Sequence, residues 1–382
     1  MLGKCAIPLR TGCFIRCNSA SPSRTSVSVL AALINTPEEA PIAKPKPKAS
    51  PTPKIPPKKP ITAEFLNQIY RNKLVPRVSS VQRGNTNAFF NQGSIDLEWS
   101  VTSVRDIPSE VVKNMEREMY AKQEKQRELV EVKDPNAIER ELDAKYNANK
   151  HDLTVTATSA IPTKFKTGIE LRFLSKLPEI LLLGSTNAGK STLFNNLFSP
   201  LERTRSLAEF AYTSSRLNYT KTLNCFNVGN LIRVVDTPGY GVKAALSQGR
   251  AVMGYLQERE ECKRVYLVIS APDGFKKTDM MVINMLQDLC LPFELVLTKV
   301  DKLIAANHNN IEKVTAQLDR MFEEVEFSTW GIQPDVFFVN SLVNKHVEKR
   351  GGVQALRCGI MSACGLDGMA LKPFKYKRRE GV

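Results

Sequence analysis

An apolar run of strand length, Ile180, Leu181, Leu182 and Leu183, leads straight into Gly184-Ser185-Thr186-Asn187-Ala188-Gly189-Lys190-Ser191. After that loop Leu193, Phe194, Leu197 and Phe198 recur at helical spacing. Strand, G-x-x-x-x-G-K-S, then helix is the context in which a glycine-rich loop cradles phosphates. Gly184 and Gly189 let the backbone curl so that its N–H groups point inward at a polyphosphate, and the helix adds the positive end of its dipole. In this reading Lys190 reaches the β- and γ-phosphates, and Ser191 offers its hydroxyl to a magnesium ion.

From about residue 161 the texture fits such a fold. Strands are expected at 179–183, 222–228, 231–235, 265–269, 293–297 and 336–339, with Gly229-Asn230 turning the second into the third as a hairpin. Helices are expected at 244–262, 277–290, 311–327 and 353–364. This alternation predicts an α/β domain over residues 161–371, with a mostly parallel six-stranded sheet covered on both faces. Ligands of such sheets bind at the carboxyl ends of the strands.

The strand ends carry the rest of the chemistry. One strand ends in Asp236-Thr237-Pro238-Gly239, where Asp236 can hold a magnesium hydration shell and the Gly239 N–H can sense a γ-phosphate. Another ends in Thr298-Lys299-Val300-Asp301. A carboxylate there accepts from the guanine N1–H and N2 amino group, a donor pair that adenine lacks, so Asp301 selects GTP or GDP. Lys299 can lay its methylenes over the base. A third strand ends in Val339-Asn340-Ser341, whose backbone N–H groups can meet the guanine O6. Between the first helix and the hairpin, Asn218, Tyr219, Thr220 and Lys221 precede Thr222 and line the nucleotide. Thr220 is the expected second magnesium hydroxyl, with Thr213 and Thr222 as rivals.

The flanks differ from this core. Residues 1–60 hold ten Lys/Arg against Glu38 and Glu39, and residues 372–382 hold five against Glu380. Of the net charge of +15, only +3 is left for 61–371. The basic character therefore sits in the ends, which weakens any argument for nucleic-acid binding by the folded body. Residues 1–36, basic, serine-rich and acid-free, have the composition of a mitochondrial transit peptide, implying the matrix. Residues 37–60 read as a Pro/Lys-rich linker. Residues 61–160 form a mixed, mainly helical and partly disordered extension, with a short helix at 63–70, a strand at 97–104 and a charged helix at 108–132. That last helix carries an apolar stripe, Val111, Met115 and Met119, for lying on the main domain or on a partner. A short helix is also expected at 137–146. No apolar run approaches the ~20 residues needed to span a bilayer. The eight scattered cysteines form no framework.

These residues together resemble the EngB/YihA GTPases, over roughly residues 177–366. The resemblance rests on Leu177-Pro178-Glu179-Ile180 leading into G-S-T-N-A-G-K-S, on Asp236-Thr237-Pro238-Gly239-Tyr240-Gly241, and on Thr298-Lys299-Val300-Asp301-Lys302. It implies a GTP-hydrolysing switch in assembly of the large ribosomal subunit. With the leader, it implies a mitochondrial member acting as a monomer on mitoribosomal precursors and their rRNA. The family places a tyrosine where other GTPases carry a water-orienting glutamine, so Tyr240 implies slow hydrolysis. Related proteins use the loop asparagine to hold potassium, which makes Asn187 catalytic beside Lys190 and Thr220. The family's Gly-Arg-Thr run is replaced here by Asn218-Tyr219-Thr220, and its acid at position 270 by Ser270. The basic tail, with Phe374 and Tyr376 among its charges, suits rRNA. The competing reading is a nucleotide-binding scaffold of negligible turnover that tethers translation or membrane partners through residues 61–160.

Overall fold

The computed structural model describes residues 61–70, 78–133, 175–201, 207, 222–241, 246–331, 333–345, 347 and 349–367. Its centre is β2 (Glu179–Gly184), the strand whose apolar residues run without interruption. All of β2 is buried, as a strand covered on both faces must be. Around it lie β4 (Ile232–Asp236), β5 (Cys262–Ser270), β6 (Phe293–Thr298) and β7 (Val336–Phe338), each parallel to its neighbour. β3 (Leu223–Val228) runs antiparallel to β4, and Gly229 and Asn230 turn between them with positive φ. That is the predicted hairpin and the backbone its Gly-Asn pair favours.

Residues of β2 alternate between two apolar clusters. Ile180 and Leu182 pack with Phe194 and Leu197 of α4 (Lys190–Leu197) and with Leu356 and Ile360 of α9 (Val353–Ala363). Leu181 and Leu183 share the other cluster with Tyr255 of α5 (Leu246–Glu258), Ile283 of α6 (Lys277–Asp288) and Leu318 of α8 (Ile311–Glu324). Cys225, Cys262 and Cys358 are buried as small apolar residues.

The sheet has seven strands, not the expected six. The seventh is β1 (Ile95–Val101), antiparallel to β3, giving the order β1-β3-β4-β2-β5-β6-β7. Without β1, β3 would present a row of unpaired N–H and C=O groups, and β1 saturates it. The opposite edge is blunted by a single side chain. Asn67 of α1 (Ala63–Ile69) donates to the Phe338 carbonyl at 2.9 Å and accepts from the Phe338 N–H at 2.8 Å. α2 (Ser80–Gln92) packs on α9, where Arg357 donates to the side-chain oxygens of Asn87 and Asn91. The extension thus wraps both sheet edges.

A buried ion network fastens it at the amino ends of the parallel strands. Glu179 accepts from Arg259 Nε at 2.8 Å and from Tyr255 Oη at 2.6 Å. The same guanidinium reaches Glu110 of α3 (Pro108–Lys133) at 2.8 Å. Arg233 holds Glu98 of β1 through two bonds of 2.6 and 2.7 Å. Breaking one partner out of such a buried set costs about 3–5 kcal/mol, because the other charge is left desolvated and alone.

α3 occupies the predicted helix but lies on the body only through its first turns. Val112 is buried, while Met115 and Met119 are 43% and 61% exposed. At Met115 and Met119 the apolar stripe therefore faces solvent, and the helix lies on the main domain through its first turns. The helix expected at 137–146, the leader, the linker and the basic tail fall outside the described residues. Among the described residues no helix is long and apolar enough to cross a membrane.

Candidate nucleotide-binding site

The carboxyl ends of β2, β4, β6 and β7 meet at one end of the sheet. The loop after β2 brings Ser185, Thr186, Asn187, Ala188 and Gly189 round to α4. Asn187 and Gly189 are left-handed, with φ of 65° and 96°. Lys190 folds back over this loop, donating through Nζ to the carbonyls of Gly184 at 3.0 Å and Ser185 at 3.2 Å. Burial lowers its pKa to about 8, although Asp236 and Asp279 pull the other way. A positive charge held in a curl of backbone N–H groups is poised for an anion.

Ser191 donates to Asp236 Oδ2 at 3.2 Å. Asp236 is 1% exposed, and its Oδ1 has no hydrogen-bond partner among the described residues. Burial pushes its pKa up to about 6 against the pull of Lys190 and the Ser191 bond. A buried, half-satisfied carboxylate beside a hydroxyl is a donor set that fits a hard divalent cation with its waters.

Thr237 anchors the next segment by donating to the Leu182 carbonyl at 2.8 Å. Gly239 then lies flat on the phosphate loop. A Cβ there would come within 2.8 Å of Thr186 Cα, so any side chain would push the two segments apart. Tyr240 is stitched to the loop by its backbone, its carbonyl accepting from the Thr186 N–H at 2.9 Å. Its hydroxyl donates to Asp279 Oδ1 at 2.6 Å.

The base-reading residues are tied to the phosphate loop. Thr298 donates to the Ala188 carbonyl at 2.5 Å, and Lys299 Nζ to the Asn187 carbonyl at 2.6 Å. Lys299 is itself left-handed and opens α7 (Val300–Ala306). Val300 and Asp301 are buried, and burial raises the pKa of the Asp301 carboxyl. From the β7 side, Asn344 donates to the Asp301 carbonyl at 3.0 Å. Asn340 donates to the carbonyls of Leu342 and Lys349, and Asn196 of α4 donates to Ser341 Oγ at 3.0 Å. Val339 is buried beneath them.

The structure therefore unites Gly184–Ser191, Asp236–Gly239, 298–301 and 339–341. Thr222 lies elsewhere. Its hydroxyl donates to Asn224 and accepts from Ser100 of β1, so it serves the strand edge and makes no bond to Ser191 or Asp236. Thr213, Asn218, Tyr219, Thr220 and Lys221 lie outside the described residues. Sequence reasoning missed Asn196, Asn344 and Asp279, because no motif or period marks a lone amide or a first-turn acid.

A phosphate loop, a cation-ready carboxylate and a guanine-reading loop on this sheet define a P-loop GTPase. The model of a family described as 50S ribosome-binding GTPase matches residues 179–299. The chain is 37% identical over 158 residues to the EngB GTP-binding protein of Prosthecochloris aestuarii, covering 40% of this chain and 79% of that one. It is 33% identical over 195 residues to that of Caulobacter vibrioides, covering 50% and 76%. The chain belongs to the EngB family of GTP-binding proteins. It is also 29% identical over 301 residues to MIOREX complex component 8 of Saccharomyces cerevisiae, covering 79% of each chain. A match of that length takes in residues ahead of the G domain, so the likeness reaches into the extension.

Proposed function

We propose that this chain is a slow GTP-hydrolysing switch that acts in the mitochondrial matrix on precursors of the large ribosomal subunit. The observation that carries the reading is the bonding of the base-reading loop to the phosphate loop, Thr298 to Ala188 and Lys299 to Asn187. One rigid frame then presents Asp301 to guanine and Lys190 to the β- and γ-phosphates. Asn340 and Ser341 offer backbone donors to the guanine O6. Ser191 and Thr220 would hold magnesium and Asp236 its hydration shell, and the ion would offset phosphate charge when bound. Slow turnover follows from Tyr240, whose only polar side-chain atom is bonded to Asp279 and so is not free to orient water.

The matrix assignment rests on the composition of residues 1–36, read as the leader of a chain whose further domains are the linker 37–60, the extension 61–160, the G domain 161–371 and the tail 372–382. The ribosomal assignment draws on the EngB relatives and on the yeast relative's place in a MIOREX complex. The test is sedimentation of mitochondrial large-subunit particles with the protein. More protein is expected to travel with them in a non-hydrolysable GTP analogue than in GDP. Equal retention in both nucleotides, or none, would refute the reading.

Asn187 is assigned to a potassium ion beside the phosphates. Its side chain is exposed at the rim of the loop, and its carbonyl is already taken by Lys299, which leaves the amide oxygen for a cation. Replacing sodium with potassium is expected to speed single-turnover hydrolysis about tenfold, equivalent to about 1.4 kcal/mol of barrier. Asn187→Ala should remove that difference. A variant that keeps the wild-type response to potassium would sink the assignment.

A further inference from the structure

We propose that Asp279 is a positioning residue for γ-phosphate recognition, acting as a peg that holds Tyr240 and with it Gly239. The inference rests on the phosphate role assigned to Gly239 above.

The segment after β4 is held on three sides. Thr237 bonds the Leu182 carbonyl of β2. The Tyr240 backbone is bonded to the phosphate loop, its N–H to the Gly184 carbonyl at 3.4 Å and its carbonyl to the Thr186 N–H and hydroxyl. The third hold is the Tyr240 hydroxyl on Asp279. Asp279 is well placed to be fixed itself. It lies in the first turn of α6, it is buried, and its Oδ2 accepts from the Lys276 N–H at 2.9 Å. One carboxylate oxygen therefore caps the helix while the other grips the phenol.

Gly241, the next residue, has φ of 130°, and nothing among the described residues lies within 4 Å of where its Cβ would be. Tyr240 is therefore the last residue of this described segment with an anchored side chain. Its backbone bonds all go to the phosphate loop, and alone they would leave the segment free to pivot with that loop. The phenol reaches across to a different helix and removes that freedom. A γ-phosphate that uses the Gly239 N–H then meets a donor already in place, and less ordering is required on binding. GDP does not reach Gly239 and does not benefit.

The prediction separates the two nucleotides. In the full chain, calorimetric titration of Tyr240→Phe should show about a tenfold loss of affinity for a non-hydrolysable GTP analogue and less than twofold for GDP. Asp279→Ala should show the same selective loss, although the lost helix cap lowers its melting temperature. The double variant should lose about tenfold, not a hundredfold, because both changes remove one bond. Equal losses for the two nucleotides, no loss, or additive losses would overturn the peg. Gly239→Ala completes the set. If it weakens the analogue far more than GDP while Tyr240→Phe does not, the peg is wrong and the Gly239 role stands. If Gly239→Ala leaves the analogue untouched, the Gly239 role itself fails and the peg falls with it.

Discussion

Lys190→Ala is expected to weaken GTP binding at least about a hundredfold, measured by calorimetric titration beside a thermal melt that confirms the fold. The ammonium is the buried cation at the phosphate end of the site, and charge-assisted hydrogen bonds to phosphate contribute about 1.5–3 kcal/mol each. Two of them, to β- and γ-oxygens, exceed the ~2.7 kcal/mol that corresponds to a hundredfold change. Alanine would also leave the Gly184 and Ser185 carbonyls without the donor they now share. The pH dependence gives a second readout. With its pKa lowered to about 8 in the free protein, Lys190 begins to lose its proton above that pH. Phosphates favour the protonated form, so GTP binding takes up a proton in that range. Affinity should be level below pH 8 and fall above it, by up to about tenfold per unit. Stability without nucleotide runs the other way. Between the folded pKa of about 8 and the higher unfolded value, the unfolded chain binds more protons, so the empty protein gains stability as pH rises. An affinity that stayed flat to pH 9.5 would show that Lys190 takes up no proton on binding.

Asp301→Asn is expected to exchange one base for another. The guanine edge presents two donors, N1–H and the N2 amino group, and a carboxylate accepts both. Asparagine offers one acceptor and one donor, so its amide N–H₂ would oppose the N2 amino group in a buried position. A mispaired donor there costs about 1–3 kcal/mol in addition to the lost charge-assisted bond. GTP affinity should fall about a hundredfold or more. Xanthine carries a carbonyl at that carbon and would accept from the new amide, so the xanthosine triphosphate should bind better to the variant than to the parent. The substitution is nearly isosteric, and the backbone at this position is held by Asn344, so the loop should keep its shape. Competition between the two triphosphates on parent and variant checks both halves. An unchanged preference for GTP would remove Asp301 from the base.

Both residues were legible in the sequence for the same reason. Each stands in the loop that follows an apolar stretch, where a buried strand must end and its next residues emerge at the rim of the sheet. The run at 180–183 and the one at 293–297 therefore announced their own loops. β1 was not legible as part of that sheet. It was visible as a strand, but an edge strand buries unevenly. Leu97 is exposed while Trp99 is buried, and a register shift falls between them. No periodicity says which distant strand such a segment joins. The buried charges were not legible either. Glu179, Arg233 and Arg259 are buried through mutual pairing. Pairing is a property of three dimensions, and neither spacing nor composition records it. Asp279 escaped for a related reason: an acid in the first turn of a helix already has an ordinary explanation.

The strand contributed by the extension also sets a timetable. Glu98 and Arg233, which meet beside β3, are separated by 135 residues. At synthesis rates of about 5–20 residues per second, β1 waits roughly seven to twenty-seven seconds for its partner. Throughout that wait it is an unpaired strand with Trp99 and Val101 uncovered. The sheet of this chain is therefore finished backwards, its outermost strand being made first and placed only once the hairpin β3–β4 has emerged.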